Sequence, residues 1–329
     1  MNVSKLRYKK YFLYCNMQDK KTVLVTGSFG LVGSAIQRLA HFYNYKFVFS
    51  GSQECDLTNY KETNDYFNKE KPNIVIHLAA CVGGLYKNMN NKVEMLENNL
   101  LINFNVVKCC NNIGVERCIC VLSTCIFPDK TSYPIDESML HNGPPHNSND
   151  AYAYAKRMME VHCRAYNEHG NTNYSCIIPT NIYGANDNYS LTDGHVIPSL
   201  IHRCHLAKLN GKPFEVRGTG LPIRQFVYSD DLAQLILECI NRLTRENIII
   251  APREEHSIGY VATLIAREYD YEDQIVLNTS FSDGQYKKTT NNTKLRNLFP
   301  NFRFTEIEDG IRESVIFFKN NYDNPNCRK

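Results

Sequence analysis

The chain is built from short apolar runs that alternate with longer segments of mixed polarity. The apolar runs show no internal alternation and lie at residues 23–25, 73–80 and 117–125. Runs of this kind are typical of parallel strands that are buried on both faces of a sheet. The mixed segments have helical length and lie at residues 34–40, 59–70, 92–112 and 152–168. The first two-thirds of the chain is therefore predicted to form alternating strands and helices around a parallel sheet.

The pattern becomes less regular after about residue 182. Helical segments are still predicted there, at residues 198–209, 230–243 and 258–269. We expect an α/β fold with a Rossmann-type, doubly wound parallel sheet over residues 21–182, to which residues 225–250 return. Residues 183–329 would mainly form a smaller, C-terminal substrate-binding lobe. Residues 1–20 are expected to be a flexible N-terminal tail.

Composition and charge narrow the class of protein. The chain has 329 residues, of which 43% are hydrophobic, and a net charge of +3, so it can bury a large core and gives no indication of a nucleic-acid partner. No apolar run approaches the ~20 residues of a membrane span. The 13 cysteines are scattered without a disulfide framework, which favours reduced thiols and a cytoplasmic location. Because no matching ligand pair accompanies Cys118 and Cys120, we expect core packing and no metal.

Three glycines follow the first apolar run. Gly27, Gly30 and Gly33 stand between a predicted strand and a predicted helix, with the spacing G-x-x-G-x-x-G. In a dinucleotide site the first glycine permits a tight turn, the second lets a pyrophosphate approach the backbone, and the third allows close helix packing. A plain βα turn is the alternative interpretation, but the flanking elements favour nucleotide binding.

Tyr152 and Lys156 are four residues apart on a predicted helix and therefore share one face. A neighbouring ammonium should lower the pKa of a phenol from about 10 toward neutrality and make it a usable proton donor. Such a pair arises easily by chance. However, Ser123 and Cys125 are expected at the carboxyl end of a central strand, where open α/β sheets bind ligands.

Several longer motifs make the chain similar to a known family. They are Leu-Ser-Thr-Cys-Ile-Phe-Pro at 122–128, Pro-Thr-Asn-Ile-Tyr-Gly at 179–184 and Gly-His-Val-Ile-Pro at 194–198, with further segments at 77–84, 133–137, 142–147 and 282–288. On these motifs the chain resembles the extended short-chain dehydrogenase/reductases, and in particular the GDP-L-fucose synthases of the animal type. The resemblance implies 3,5-epimerisation of GDP-4-keto-6-deoxy-D-mannose, followed by NADPH-dependent reduction of its C4 ketone.

The resemblance also implies roles for individual residues. Cys125 and His195 would exchange protons at C3 and C5 of the sugar. Tyr152 would protonate the C4 oxygen, Ser123 would hydrogen-bond to it, and Lys156 would hold the ribose and tune Tyr152. The implied NADP-binding residues are Gly27, Ser28, Phe29, Gly30, Leu31, Val32, Gly33, Asp56, Leu57, Lys156, Pro179, Asn181 and His195. The implied substrate-binding residues are Arg203, Arg217, Arg224, Asp283 and Lys288, where Arg217 replaces the tryptophan usual in the family.

The preference for NADPH over NADH follows from the segment after the second strand. Residues 49–57 lack an acidic residue at the strand end that would hold a ribose 2′-hydroxyl, whereas Ser50 and Ser52 can donate to a 2′-phosphate. Asp56 is expected near the adenine. The resemblance also implies two partners, a GDP-sugar and a second copy of the chain, which would dimerise through a four-helix interface formed by the helices at 92–112 and 152–168.

Two other functions remain open at this point. A related nucleotide-sugar 4-epimerase or 4,6-dehydratase would share Tyr152, Lys156 and the glycines but would not need Cys125 with His195. A catalytically silent nucleotide-binding protein of the same fold would be expected to lack Tyr152 or Lys156, and this chain has both.

Overall fold

The computed structural model describes residues 20–283 and 286–329. The predicted tail at residues 1–20 therefore lies almost entirely outside the described residues. The strands are β1 (Thr22–Thr26), β2 (Lys46–Ser50), β3 (Ile74–His77), β4 (Arg117–Val121), β5 (Tyr174–Pro179), β6 (Asn181–Tyr183), β7 (Phe214–Arg217), β8 (Ile223–Arg224), β9 (Phe226–Tyr228), β10 (Asn247–Ile250), β11 (His256–Ser257) and β12 (Ile275–Asn278).

The described helices follow the strands in the predicted alternation. They are α1 (Leu31–Leu39), α2 (Tyr60–Glu70), α3 (Leu85–Asn90), α4 (Lys92–Asn112), α5 (Asp150–His169), α6 (Val196–Leu209), α7 (Ser229–Arg242), α8 (Ile258–Arg267), α9 (Thr293–Leu298) and α10 (Ile307–Asn321). Within the described ranges, none of these helices combines the length and the apolar character that crossing a membrane requires.

The central sheet has six parallel strands in the spatial order β10-β5-β4-β3-β1-β2. Side chains along each strand point alternately to the two faces. In β1, for example, Leu24 packs into the hydrophobic cluster with α2, α4 and α5, while Val23 and Val25 pack into the cluster with α1 and α7. Because both faces are covered, the strands are apolar without alternation, and the predicted doubly wound α/β fold is confirmed.

A third hydrophobic cluster lies beyond the central sheet. It is formed by residues of α6, α8 and α10 together with β7 and β9. Short two-stranded sheets accompany it: β12 pairs in parallel with β7, β6 pairs in parallel with β9, and β11 pairs antiparallel with β8. The pairing of β6 with β9 joins this region to the chain that leaves the central sheet after β5.

Two of the predicted strands are shorter than expected. The apolar runs at 73–80 and 117–125 extend past the ends of β3 at His77 and β4 at Val121. After β4, Ser123 stays extended and its hydroxyl accepts a hydrogen bond from the Cys125 amide, which starts a 3₁₀ helix at Thr124–Ile126. The small polar residues therefore turn the chain at the sheet edge instead of continuing the strand.

A chain of thiols occupies the core between the sheet and the helices α4 and α5. The Sγ atoms of Cys110 and Cys118 are 3.8 Å apart, those of Cys118 and Cys120 are 3.6 Å apart, and those of Cys120 and Cys163 are 3.6 Å apart. Cys176 packs beside them, and all five side chains are at most 2% exposed. We call these five residues the thiol cluster. Among the residues that the structure describes, no group of three or more histidine, cysteine or acidic side chains has the arrangement of a metal site.

Candidate active site

The glycine turn between β1 and α1 has the geometry that its spacing predicts. Gly27 has φ of +69°, and a Cβ on it would lie 2.7 Å from the Ala79 amide nitrogen, so only glycine fits. A Cβ on Gly33 would lie 2.4 Å from the Ser28 carbonyl oxygen. Gly30 immediately precedes α1. The amino end of α1 thus faces the carboxyl edge of the sheet, which is the arrangement that binds a pyrophosphate.

The other residues of this turn differ in what they offer a nucleotide. The buried Ser28 hydroxyl donates to the Val25 carbonyl at 2.6 Å and accepts from the Ser50 amide at 2.9 Å, so it braces the ends of β1 and β2. The Phe29 side chain is 59% exposed and covers Gly51. Val32 is buried in the core, so its contribution to a nucleotide site is limited to the backbone.

The segment after β2 contains two carboxylates, Asp56 and Glu54, that accept hydrogen bonds from nearby backbone amides. Asp56 accepts from the Thr58 amide and hydroxyl, at 2.9 and 2.7 Å, and these bonds lower its pKa. Glu54, which was not predicted to have a role, accepts from the Gly51 amide at 2.7 Å. Ser50 is buried and Ser52 is exposed, and a hydrogen bond from either to a 2′-phosphate stays a prediction. Leu57 belongs to the core beneath Asp56.

Lys156 is buried at the base of the site. Its Nζ donates to the Val121 carbonyl at 2.9 Å and lies 5.9 Å from the centre of the Tyr152 ring. Burial lowers the pKa of Lys156 to about 8. The pKa of Tyr152 is raised by burial, with the nearby Cys125 and Cys81 adding to the effect. The expected lowering of the Tyr152 pKa by Lys156 is therefore wrong for this structure, because burial of the phenol disfavours its anion.

Cys125 stands between two lysines. Burial raises the pKa of its thiol, whereas the charges of Lys288 and Lys156 and the contact with Ser123 act in the opposite direction. The Cys125 amide donates to the Ser123 hydroxyl oxygen at 3.4 Å. Ser123, Cys125 and Lys288 all retain some contact with solvent. The charges of Lys156 and Lys288 act on Cys125, and Cys125 in turn acts on Tyr152, so the structure brings these four residues together.

His195 lies at the amino end of α6, after a loop that contacts the segment following β3. Its carbonyl accepts from the Ser199 amide at 3.1 Å and hydroxyl at 2.8 Å, and the Gly84 amide donates to the carbonyl of Asp193 at 3.0 Å. The segment before Gly84 carries Cys81, whose thiol acts on Tyr152. The pKa of His195 is lowered by burial and by the charge of Arg328. Sequence reasoning missed Arg328.

Two of the predicted substrate residues form a basic cluster near Cys125. Burial lowers the pKa of both Arg224 and Lys288, and the charge of Arg224 lowers that of Lys288 further. Arg224 also donates to the carbonyls of Ile223 and Tyr286, at 2.8 and 3.3 Å. Two desolvated cations that repel one another favour a bound anion, because an anion neutralises both.

The remaining predicted substrate residues lie in three places: Arg217 at a cavity, Asp283 at a loop and Arg203 on α6. Arg217 stacks on the Phe281 ring at 4.5 Å and borders a cavity of about 530 Å³. The other lining residues are Lys87, Asn90, Asn91, Thr192 and Asp193, none of which the sequence analysis singled out. Asp283 accepts from the Thr219 amide and hydroxyl, both at 2.7 Å, so its carboxylate holds the loop that follows Arg217. Arg203 lies on α6.

The carboxyl end of β5 completes the edge of the sheet. Pro179 ends this strand, and the side-chain amide of Asn181 donates to the Gln225 carbonyl at 3.1 Å. That bond ties β6 to the chain before β9. The model of the NAD dependent epimerase/dehydratase family matches residues 23–251, which include this edge and the glycine turn.

The chain belongs to that family.

Relatives within this epimerase/dehydratase family are similar over almost the whole chain. The GDP-L-fucose synthase of Dictyostelium discoideum is 50% identical over 311 residues, covering 93% of this chain and 97% of the relative. A probable GDP-L-fucose synthase of Drosophila melanogaster is 47% identical, covering 92% and 98%. The crystal structure of a GDP-L-fucose synthetase from Naegleria fowleri bound to NADP has a TM-score of 0.90 at 43% identity, covering 95% of this chain and 96% of that one. The resemblance drawn from the motifs is confirmed.

Proposed function

We propose that the protein converts GDP-4-keto-6-deoxy-D-mannose to GDP-L-fucose by 3,5-epimerisation and NADPH-dependent reduction. The observation that carries this conclusion is the family relationship at 50% identity over 97% of a GDP-L-fucose synthase. Within the chain, the grouping of Cys125 with Tyr152 and Lys156 at one sheet edge supports it, since a plain 4-epimerase would not need the thiol. NADPH is the cofactor, as the NADP-bound relative from Naegleria fowleri supports.

Epimerisation requires a group that can remove and return protons beside the C4 ketone. The ketone acidifies the hydrogens on C3 and C5, and Cys125 and His195 are the exchanging pair. The charges of Lys156 and Lys288 favour the Cys125 thiolate, while burial favours the thiol. The neutral imidazole of His195 is favoured by its surroundings. A thiol and an imidazole can each serve as proton donor and proton acceptor, so the two groups together can exchange protons with the sugar.

Reduction uses the same edge of the sheet. The glycine turn and the amino end of α1 fit a dinucleotide, which supplies the hydride when it is bound. Tyr152 gives its phenolic proton to the C4 oxygen, and its raised pKa keeps that proton in place until the oxygen gains charge. The Ser123 hydroxyl donates to the same oxygen, and Lys156 orients the ribose and the phenol.

The predicted basic substrate residues hold the diphosphate and the guanosine. Arg224 and Lys288 are desolvated cations beside Cys125, so they suit the diphosphate next to the sugar. Arg217 and Arg203 contribute further positive charge, and the Phe281 ring stiffens the position of the Arg217 guanidinium. Asp283 shapes the loop after Arg217 through Thr219.

A homodimer is part of this proposal. The exposed side chains of α4 and α5 include Leu101, Phe104, Tyr154 and Met158, which are large and apolar, and Met158 is 52% exposed. Apolar patches of this kind on packed helices mark protein interfaces. Two such helices from each copy would form a four-helix interface. Replacing Met158 by glutamate should yield a monomer in light scattering, and an unchanged dimer would exclude this interface.

The proposed organisation follows from these assignments. Residues 21–182, with the return of 225–250, hold the cofactor, and the lobe formed mainly by residues 183–329 holds the substrate. The expected location is cytoplasmic, where the scattered thiols would stay reduced.

The decisive experiment supplies the purified protein with GDP-4-keto-6-deoxy-D-mannose and NADPH. We expect one NADPH to be oxidised for each GDP-L-fucose formed. A product of the D series would mean that reduction occurs without epimerisation. Turnover of a 4-hydroxy nucleotide sugar supplied in its place, without net NADPH consumption, would instead identify a 4-epimerase or a 4,6-dehydratase. No turnover of either substrate would point to a silent nucleotide-binding protein.

A further inference from the structure

The segment that follows α10 packs against the loop that leads to His195. The Tyr189 amide donates to the Arg328 carbonyl at 2.7 Å, and the Arg328 guanidinium donates to the carbonyl of Asn186. Cys327, next to Arg328, packs against the hydrophobic cluster formed by α6, α8 and α10. Arg328 is thus fixed to the loop by its backbone and by its side chain, although 133 residues separate it from His195 in the sequence.

Hydrogen bonds within the loop hold its backbone between the Arg328 contact and His195. The Ser190 amide donates to the Asn188 side chain at 3.1 Å, and the Gly194 amide donates to the Ser190 carbonyl at 3.0 Å. The Tyr189 side chain is buried, and its hydroxyl donates to the Gly184 carbonyl at 3.2 Å. A Cβ on Gly194 would lie 2.4 Å from the Ser190 carbonyl oxygen, so the turn just before His195 is tightly closed.

The charge of the Arg328 guanidinium acts on a buried carboxyl group, that of Asp187. Asp187 is 4% exposed, one of its oxygens accepts from the Asn188 amide at 2.7 Å, and the other has no hydrogen-bond partner. The charge of Arg328 acts on Asp187 and on His195. Burial raises the pKa of Asp187 and lowers that of His195. The charge of Arg328 acts toward a lower pKa at both groups, because a cation stabilises a carboxylate and opposes an imidazolium.

We propose that Arg328 is a positioning residue for proton exchange, which fixes the loop before His195 and holds a permanent positive charge close to the imidazole. This inference rests on the proposed function, since it concerns the epimerisation half of that reaction. Asp193, two residues before His195, lines a cavity together with the charged residues Lys87 and Arg217. Burial and Arg328 are what lower the pKa of His195.

The next residue provides a matched control. Lys329 carries the same charge in the same segment, and its ammonium donates to the Tyr322 carbonyl. Its charge lowers the pKa of His202 and His205, which lie further along α6. Removing the charge of Lys329 should therefore leave His195 unaffected.

The test measures entry of solvent deuterium into the sugar of GDP-4-keto-6-deoxy-D-mannose, without NADPH, as a function of pH. In Arg328→Gln, the limb of the pH profile that reports His195 should move to higher pH than in the wild type, because the charge that opposes the imidazolium is gone. Arg328→Lys keeps the charge and should restore the wild-type profile, and Lys329→Gln should match the wild type. NADP⁺ affinity and the midpoint of urea unfolding show whether each variant is folded.

The outcomes separate this inference from the function on which it rests. If the wild type exchanges deuterium and folded Arg328→Gln keeps the wild-type profile, the role of Arg328 is refuted while the proposed function stands. Equal impairment of Arg328→Gln and Arg328→Lys, without a shift in pH, would refute the electrostatic part and leave a purely structural contact. If the wild type exchanges no deuterium, the proposed function fails, and the role of Arg328 fails with it.

Discussion

Replacing Gly33 by alanine should destabilise the protein even when no nucleotide is bound. The new Cβ would lie 2.4 Å from the Ser28 carbonyl oxygen and 2.5 Å from that of Gly27. Since carbon and oxygen atoms in close contact are about 3.3 Å apart, α1 would have to move away from the turn by about 0.9 Å. Both obstacles are backbone atoms, and Ser28 is fixed to β1 and β2 by its own hydrogen bonds. Overpacking of this kind costs about 1–3 kcal/mol.

Gly30→Ala is the matched control for this substitution. Gly30 has φ of −81°, which alanine adopts freely, and its Cβ would meet only the Gly27 carbonyl oxygen at 3.4 Å. The free energy of unfolding should therefore stay within about 1 kcal/mol of the wild type. Its Cβ would nevertheless stand where the pyrophosphate approaches the backbone, so the Kd for NADP⁺ should rise about tenfold or more.

Urea unfolding without nucleotide and NADP⁺ titration together distinguish the two variants. We expect Gly33→Ala to lose stability and affinity, and Gly30→Ala to lose affinity alone. A Gly33→Ala protein whose unfolding free energy lies within about 0.5 kcal/mol of the wild type would refute the reasoning from close contacts. If Gly30→Ala bound NADP⁺ normally, the pyrophosphate would not approach at this turn.

Three further predictions concern single side chains. Tyr152→Phe should slow NADPH oxidation by about 10²–10⁴ while some deuterium still enters the sugar from solvent, because only the proton donor for the C4 oxygen is lost; oxidation at the wild-type rate would exclude Tyr152 as that donor. Cys125→Ser should retain NADP⁺ binding, exchange little deuterium at C3 and C5, and reduce the unepimerised ketone to GDP-6-deoxyhexoses of the D series; GDP-L-fucose formed at nearly the wild-type rate would return the role of base to His195 or to another group. Asp187→Asn should stabilise the protein increasingly between pH 4 and pH 7, since burial raises the pKa of Asp187 from 3.8 to about 7 and stability is lost as the pH rises through that range. The gain should reach up to about 4 kcal/mol at pH 8 and vanish near pH 4 in urea titrations; a gain independent of pH would contradict the raised pKa of Asp187 as its source.

The parts of the fold that the sequence predicted are those in which local pattern and burial agree. The strand around Leu24 is apolar on both faces, and the helices flanking it are long enough to be recognised by composition alone. The two-stranded sheets of the smaller lobe, such as β8 with β11, have strands of two residues each, which carry no period. Their pairing is set by tertiary contacts that a local pattern does not contain.

The candidate site divides in the same way. Gly27, Gly33 and the helical pair Tyr152 and Lys156 act through spacing along the chain, so their motifs identify them. Arg328 acts through a fold that brings distant residues together, and no spacing indicates its contact with the loop before His195. The pKa of Tyr152 was predicted in the wrong direction for a related reason, because the motif reveals the neighbouring ammonium but not the burial of the phenol.

The thiol cluster makes the opening of this protein chemically observable. Its five sulfurs connect α4, α5, β4 and β5, and none can react with an aromatic disulfide reagent until these elements separate. Cys81, Cys125 and Cys327 are partly accessible and should be labelled from the folded state. Cys55, Cys109, Cys204 and Cys239 are buried as well, so the modified residues of the cluster are identified by peptide mass. When closing is faster than labelling, the slower modification of the cluster reports the equilibrium between closed and open forms. Quantifying the two phases would yield the free energy of core opening without denaturant, and added NADP⁺ would show how strongly cofactor binding keeps that core closed.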